Sequence, residues 1–413
     1  MPTEVRAAGL LDGPPVSGAL GATEVSPEEI VSRVERSGLR GRGGAGYSTG
    51  AKLRAVLGSA AGGREPFVVA NGYDADRQSP IAATLLERQP RRVLDGIAIA
   101  ARAVGATRAY LYLHPESTAT RTGALAALAT AASDLGDLGV EIAIGPGGFA
   151  GGEESIALAV LESRKAMARQ RPPYPAREGL RGRPTLVQSV ETLAWLPSIV
   201  REGPDGFRAS GTAATPGTKL VSVTGAVARP GVYEVGFGTT LGTILDGAGV
   251  AAGLKAIHVG GPTGGLLAPA RRDVALGYAE LAAVGAHLGS AQIRAIPAET
   301  CVVAEAGRLF AYLARESCAI CVPCRVGTKR VEGILAGITS GLGRTADLPW
   351  LAEIGDQMAR FSLCGFGITA PQILRTTMAE FGAEYRAHID DGRCPTGTCA
   401  PTRARRYERM VQP

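Results

Sequence analysis

The chain has no long apolar run. Nowhere in its 413 residues does a window approach the ~18 uninterrupted apolar positions that read as a membrane span, which excludes a helix crossing a bilayer. Lysine is scarce: of 44 basic residues only 5 are Lys, leaving 39 Arg. The arginines are not gathered into a stripe, so the net charge of +6 does not indicate nucleic-acid binding. Their excess, beside abundant Ala and Gly, fits a GC-rich coding sequence. Residues 1–22 lack a basic start followed by an apolar stretch, so no secretion signal is expected. This favours the cytoplasm, where thiols stay reduced and clustered cysteines signal metal more often than disulfides. Cysteine is also sparse, at 7 residues, and its distribution is uneven.

Three cysteines fall in one stretch, Cys318, Cys321 and Cys324, at C-x2-C-x2-C spacing. Cys364 follows, with 39 residues between it and Cys324. Thiolates on one tight turn can converge on one centre, with the fourth supplied from elsewhere, as in iron–sulfur clusters. A four-cysteine zinc site is the competing reading, although the usual second C-x2-C knuckle is missing. Near the end, Cys394 and Cys399 form a C-x4-C pair with Arg403, Arg405 and Arg406 beyond. A metal half-site completed by a partner, a redox pair and two free thiols are all open there. Cys301 stands alone in the sequence and is expected to be a small buried hydrophobe.

A chain of this length divides into several domains. Residues 1–25 are Gly/Pro/Ala-rich and are expected to be a disordered tail. Ser26-Pro27-Glu28-Glu29 reads as a capping box opening a helix that runs to Gly38. A Gly-rich loop follows, with Gly41, Arg42, Gly43, Gly44, Gly46 and Tyr47, and Lys52 just beyond. Its G-x-G-x-x-G follows a helix rather than a strand, so it is not a Rossmann fingerprint. Its backbone N–H groups could still cradle a phosphate, with Arg42 and Lys52 adding charge. Strand patterns at 67–70, 110–113 and 141–144 alternate with helical patterns at 91–104 and 125–135, which indicates an α/β layer. Gly152, Glu153 and Glu154 open another helix, where carboxylates suit the dipole. Residues 203–217 read as a boundary. A β-hairpin, a helix and a strand come next, and the strand carries His258, expected to be a packed or exposed histidine rather than a ligand. Helical patterns at 302–315, 328–338, 348–358 and 371–385 predict a four-helix bundle around the cysteine loop. The expected divisions are 26–205, 216–297, 298–390 and a Cys/Arg tail at 391–413.

In content and order these motifs resemble the NADH-binding, FMN-containing subunit of respiratory complex I, and the related flavin subunits of NAD-linked hydrogenases and formate dehydrogenases. The resemblance covers roughly residues 26–390. It implies a flavin-binding α/β domain, a small β-grasp domain and a C-terminal four-helix bundle in which Cys318, Cys321, Cys324 and Cys364 hold a [4Fe–4S] cluster. It implies that residues 38–52 form the flavin loop and that Asn71, Asp74 and Asp76 contact flavin and nicotinamide nucleotide. It also makes Glu154 the residue that orients the nicotinamide, and Tyr174, in Arg171-Pro172-Pro173-Tyr174-Pro175, an aromatic clamp on a base. Gln188 and Ser189 occupy the positions of an Asn-Asn pair that hydrogen-bonds the flavin. The chain departs from the family at Tyr73 (an acidic residue there), at Asp74 and Asp76 (glutamates), at Arg77-Gln78 (Pro-Gly) and at Gly151 (Cys). The implied activity runs from NADH to FMN to [4Fe–4S] and on to other redox subunits, a ferredoxin-like or [2Fe–2S] protein among them. The expected location is cytoplasmic, with attachment at the periphery of a membrane complex compatible with it. Two other readings stay open: an electron-relay subunit that keeps the cluster without NADH oxidation, and a zinc-stabilised scaffold.

Overall fold

A computed structural model describes residues 9–13 and 25–399; most of the N-terminal tail and the arginines beyond Cys399 lie outside these. The described chain forms two compact units. The first comprises residues 1–222, 232–239 and 275–278, and the second the remainder.

In the first unit, helix α1 (Pro27–Ser37) starts where the Ser26 side chain accepts the Glu29 N–H, and ends at Gly38, whose φ of 68° is left-handed. The Gly-rich loop then leads into α2 (Thr49–Ala60), capped by Ser48. Strands β1 (Phe67–Gly72), β2 (Arg108–Leu113), β3 (Gly139–Ile144) and β4 (Thr185–Ser189) form a parallel sheet in the order β3-β2-β1-β4. Phe67, Val68, Val69 and Ala70 are buried, as a near-continuous apolar strand covered on both faces should be. Helices α3 (Ile81–Arg88), α4 (Pro90–Val104) and α5 (Thr118–Leu135) lie between β1 and β3 in the chain. From β1 the chain builds outward through β2 to β3, then returns to add β4 on the other side of β1. In an open parallel sheet, such a reversal of strand order leaves a crevice at the carboxyl ends, where ligands bind.

Strand β5 (Thr218–Gly225) passes from the first unit into the second. It belongs to a five-stranded sheet with β6 (Gly231–Gly236), β7 (Leu254–Val259), β8 (Gly265–Leu267) and β9 (Gln292–Pro297), ordered β6-β5-β9-β7-β8. A hairpin, a helix at Leu241–Gly247, a returning strand β7 and the central β9 are the β-grasp arrangement that the resemblance implies. The helical part of the second unit consists of α6 (Val302–Glu316), α7 (Val322–Thr339), α8 (Asp347–Phe361), the short α9 (Gly365–Thr369) and α10 (Gln372–Ile389). The four long helices match the expected bundle.

Two histidines, His258 fully buried and His287 partly so, should make the second unit acid-sensitive. His258 is packed in the core; its Nε2 meets the Gly261 carbonyl at 2.9 Å while Nδ1 has no hydrogen-bond partner among the described residues. Burial brings its pKa down to about 4, with Glu305 opposing and Arg294 assisting, and burial does the same to His287, also about 4. Unfolding returns both to an ordinary ~6.5. Between these values the unfolded chain binds more protons, so stability is full above ~6.5 and falls as pH drops toward 4. Hydrogen-exchange protection factors across residues 254–297, corrected for the intrinsic pH dependence of exchange, should therefore fall between pH 7 and pH 5. The double variant His258→Gln/His287→Gln should show a flatter dependence; an unchanged slope would contradict this assignment.

Candidate functional site

The Gly-rich loop is closed by backbone bonds. The Gly41 N–H donates to Tyr47 O at 2.8 Å and the Thr49 N–H to Leu39 O at 2.9 Å. Gly44 and Gly46 have φ of 105° and 66°, a region that side-chain-bearing residues avoid. The Tyr278 hydroxyl donates to Gly41 O at 2.8 Å, and its ring lies 2.5 Å from where a Cβ at Gly46 would fall. The loop runs over the end of β4. The Arg42 N–H donates to Thr192 Oγ1 at 2.8 Å, which is 2.8 Å from Ser189 Oγ. A Cβ on Gly41 would stand 3.6 Å from Gln188 Oε1, and one on Gly43 3.6 Å from Ser189 Cβ. Across the strand-order reversal, Asn71 pairs in register with Ser189 and Ala70 with Gln188.

Charged side chains converge at this carboxyl edge. Lys52, in the first turn of α2, places Nζ 2.9 Å from Val187 O and 3.3 Å from Glu154 Oε2. Glu154 Oε1 also lies 3.1 Å from an Arg171 guanidinium nitrogen. Glu153 pairs with Arg171 and caps the helix Glu154–Leu161 by accepting the Ser155 and Ile156 N–H groups. Asn71 donates to Gly152 O at 2.9 Å and accepts the Tyr73 N–H at 3.1 Å. Asn71, Gly152, Glu154, Lys52, Gln188 and Ser189 thus belong to one edge, while Tyr47 and Tyr174 are strongly exposed, at 61% and 60%.

Four expectations change in the folded chain. The Arg42 guanidinium is buried, donating to Arg40 O at 3.1 Å and Pro216 O at 2.8 Å, with Phe237 4.6 Å beneath it. It anchors the loop from within instead of offering charge at its open face; Lys52 carries that charge. Both oxygens of Asp74 accept helix N–H groups, from Ala82 at 2.8 Å and Ala83 at 2.7 Å, and burial raises its pKa to about 7. Asp76 is buried and accepts the Gln78 N–H at 3.0 Å. Asp74 thus caps the start of α3, where free N–H groups bind a carboxylate strongly, and Asp76 closes an Asx-type turn onto the N–H two residues on. Tyr73 is core rather than surface chemistry. It stacks on Tyr112 with ring centres 5.1 Å apart, and a Cβ at Gly151 would fall 2.2 Å from its hydroxyl oxygen. The departures at 73 and 151 are therefore one packing change, a large ring filling space that a side chain at 151 would need.

In the second unit, α6 ends at Glu316 with Ser317 as its C-cap, and the chain turns through Cys318 and Ala319 (φ 62°) to Cys321, at the N-cap of α7. Cys324 sits in the first turn of α7, and Cys364 caps α9. Helix starts favour thiolate. Cys324 and Cys364 are buried, and Cys318 and Cys321 partly so. Burial drives the Cys324 pKa up to about 12, and Cys321, Cys364 and Cys318 all lie close enough to raise it further, against a 3.4 Å contact with Ser317 Oγ. Four thiolates this close repel one another, so they ionise together only around a shared cation, which is the donor chemistry of an iron–sulfur centre. Gly367 allows the close approach, since a Cβ there would lie 3.0 Å from Cys324 Cβ.

Cys301 does not stand alone. Its sulfur meets His388, Cys394 and Cys399, and the ligand atoms of all four lie within 4.8 Å of one another. No local spacing could have signalled this, because the contact between Cys301 and His388 spans 87 positions.

Fold and site together define a flavin- and iron–sulfur-binding electron-transfer oxidoreductase. Residues 34–198 match the family described as Nuo51 FMN-binding domain, and residues 304–388 the NADH-ubiquinone oxidoreductase-F iron-sulfur binding region. The chain is 36% identical over 393 residues to the NADP-reducing hydrogenase subunit HndC of Solidesulfovibrio fructosivorans, covering 91% of this chain and 79% of that one. It is 35% identical over 386 residues to an F-type NADH-quinone oxidoreductase subunit of Rhizobium meliloti, covering 90% and 91%. The fold superposes on an NAD+-reducing [NiFe]-hydrogenase crystal structure with a TM-score of 0.86 at 34% identity, covering 92% of this chain and 66% of that chain. The protein belongs to the family of F-type NADH-quinone oxidoreductase subunits and their hydrogenase relatives. Among the described residues no helix is long and apolar enough to cross a membrane.

Proposed function

We propose that this chain oxidises NADH at an FMN held over the β1–β4 edge and passes the electrons through a [4Fe–4S] cluster on Cys318, Cys321, Cys324 and Cys364 to a partner redox subunit. The observation that carries this reading is the loop of residues 41–46 lying over Gln188 and Ser189 at the reversal of strand order, with Lys52 and Glu154 paired beside it. The site fits a flavin nucleotide. Loop N–H groups and Lys52 suit the phosphate end, while Asn71, Gln188 and Ser189 supply polar groups for the ring end. When bound, FMN accepts two electrons as hydride and releases them singly. Glu154, tethered by Lys52 and Arg171, orients the nicotinamide, and the exposed Tyr174 and Tyr47 offer faces for a base.

The functional divisions proposed are residues 26–205 for flavin and nucleotide, 216–297 for the β-grasp and 298–390 for the cluster. A ferredoxin-like or [2Fe–2S] partner fits the exposed Val322, Val326, Phe361 and Ile368, which neighbour the cluster cysteines in sequence. We place the chain in the cytoplasm, because clustered cysteines used for metal suit a reducing compartment.

The use of Asp74 and Asp76 within the fold favours weakened nucleotide handling. Each mismatched hydrogen bond at the flavin ring costs roughly 0.5–1.5 kcal/mol, so Gln188 and Ser189 together lower flavin affinity by about one to two decades. Anaerobic mixing of FMN-reconstituted protein with NADH should give slow flavin bleaching. Fast stoichiometric bleaching at micromolar NADH would show these departures to be harmless. No bleaching, with the cluster still reducible by dithionite, would favour the electron-relay reading.

A further inference from the structure

We infer that Cys301, His388, Cys394 and Cys399 form a second metal centre, a closed mononuclear zinc site that clamps residues 390–399 onto the helical part of the second unit. The four ligand atoms come from three separate places. Cys301 caps the start of α6, where its sulfur accepts the Ala304 N–H at 3.5 Å. His388 lies in the last turn of α10, with Nε2 3.6 Å from Cys301 Sγ. Cys394 and Cys399 flank a turn in which the Gly397 N–H donates to Cys394 O at 3.1 Å, and Gly397 has a φ of 71°. That turn brings both thiols round to the same side.

The imidazole is already set for a metal. Its Nδ1–H donates to Glu384 O at 2.7 Å, so the Nε2 lone pair faces the sulfurs. A ligating histidine is commonly held in this way, its other N–H fixed by a carbonyl. The chain between histidine and thiols is tied back as well, through the Arg393 N–H to Ala387 O at 2.9 Å.

Spacing and chemistry select the metal. All four ligand atoms lie within 4.8 Å of one another. Tetrahedral zinc, with bonds of about 2.3 Å to sulfur and 2.0 Å to nitrogen, wants its ligands roughly 3.5–3.8 Å apart, so a small contraction completes the sphere. Three thiolates and an imidazole suit zinc and exclude magnesium or calcium, which take oxygen. Four protein ligands leave no open coordination position. The adjoining cavity, lined by His388, Cys394 and Cys399 among others, holds about 10 Å³, too little for a substrate. The site is therefore structural. It shares no ligand with the four-cysteine centre, which begins at the opposite end of α6, ~22 Å along a 15-residue helix.

The test is elemental analysis of the anaerobically purified full chain and its variants. The wild type should carry about one zinc per chain beside its iron. Cys394→Ser/Cys399→Ser, and separately His388→Ala, should lose most of that zinc while keeping the visible cluster absorbance, which serves as the folding control. Cys324→Ala should do the reverse, losing the cluster and keeping zinc. Cobalt-grown wild type should show tetrahedral cobalt–thiolate bands that the double variant lacks. Zinc-free wild-type protein, zinc retained in the double variant, iron at this position, or a Cys394–Cys399 disulfide would each overturn the assignment.

Discussion

Cys324→Ala should leave protein with essentially no visible iron–sulfur absorbance, and Cys318→Ala, Cys321→Ala and Cys364→Ala should do the same. Cys324 is the buried member whose thiol feels the other three, so its removal leaves three ligands around a centre that needs four. Ser317→Ala should be milder. Its hydroxyl lies 3.4 Å from Cys324 Sγ, and an outer partner of this kind typically costs ~10–100-fold in metal affinity and shifts the potential through the lost hydrogen bond. Cys301→Ala should spare the absorbance altogether. Iron and sulfide analysis with absorbance spectra on the six variants checks all of this. Bleaching in Cys301→Ala, or a cluster surviving in Cys364→Ala, would mean that the ligands have been assigned wrongly.

Lys219→Met should be strongly destabilising. Lys219 and Glu191 form an ion pair at 2.5 Å with side chains only 2% and 3% exposed. Glu191 also accepts the Leu220 N–H at 2.8 Å. Removing the cation strands a carboxylate in the interior, which typically costs about 3–5 kcal/mol. Replacing both partners, Lys219→Met/Glu191→Leu, should recover much of that loss, because neither charge is then left unpaired. Chemical denaturation of the three variants, followed by flavin-independent circular dichroism, measures the coupling. Equal destabilisation in the single and double variants would show that packing, not charge, holds this junction.

Much of the architecture was legible in residue order, since its signals are local. The capping box at Ser26, the apolar run at 67–70 and the helical spacing at 91–104 each report backbone preferences within a few residues. The helices formed almost where spacing placed them, at Pro27–Ser37 and Pro90–Val104. The C-x2-C-x2-C run is equally local, because one turn and the start of one helix suffice to bring three thiols together. Even the rejection of a Rossmann loop needed only the observation that a helix preceded the glycines.

Tertiary structure decided which way the polar side chains faced. Arg42 sits in a glycine loop that suggests phosphate, yet Arg40 O and Pro216 O draw its guanidinium inward. Asp74 follows β1 like a ligand residue, yet the N–H groups of Ala82 and Ala83 claim both its oxygens. Tyr73 and Gly151 read as two unrelated departures until their contact shows one volume exchanged for another. Cys301, His388, Cys394 and Cys399 are spread over nearly a hundred positions and meet only because α6 and α10 share the second unit. Local sequence sets backbone conformation through near-neighbour sterics and hydrogen bonding. Where a charged or thiol side chain ends up depends on partners that only the completed fold brings within bonding distance.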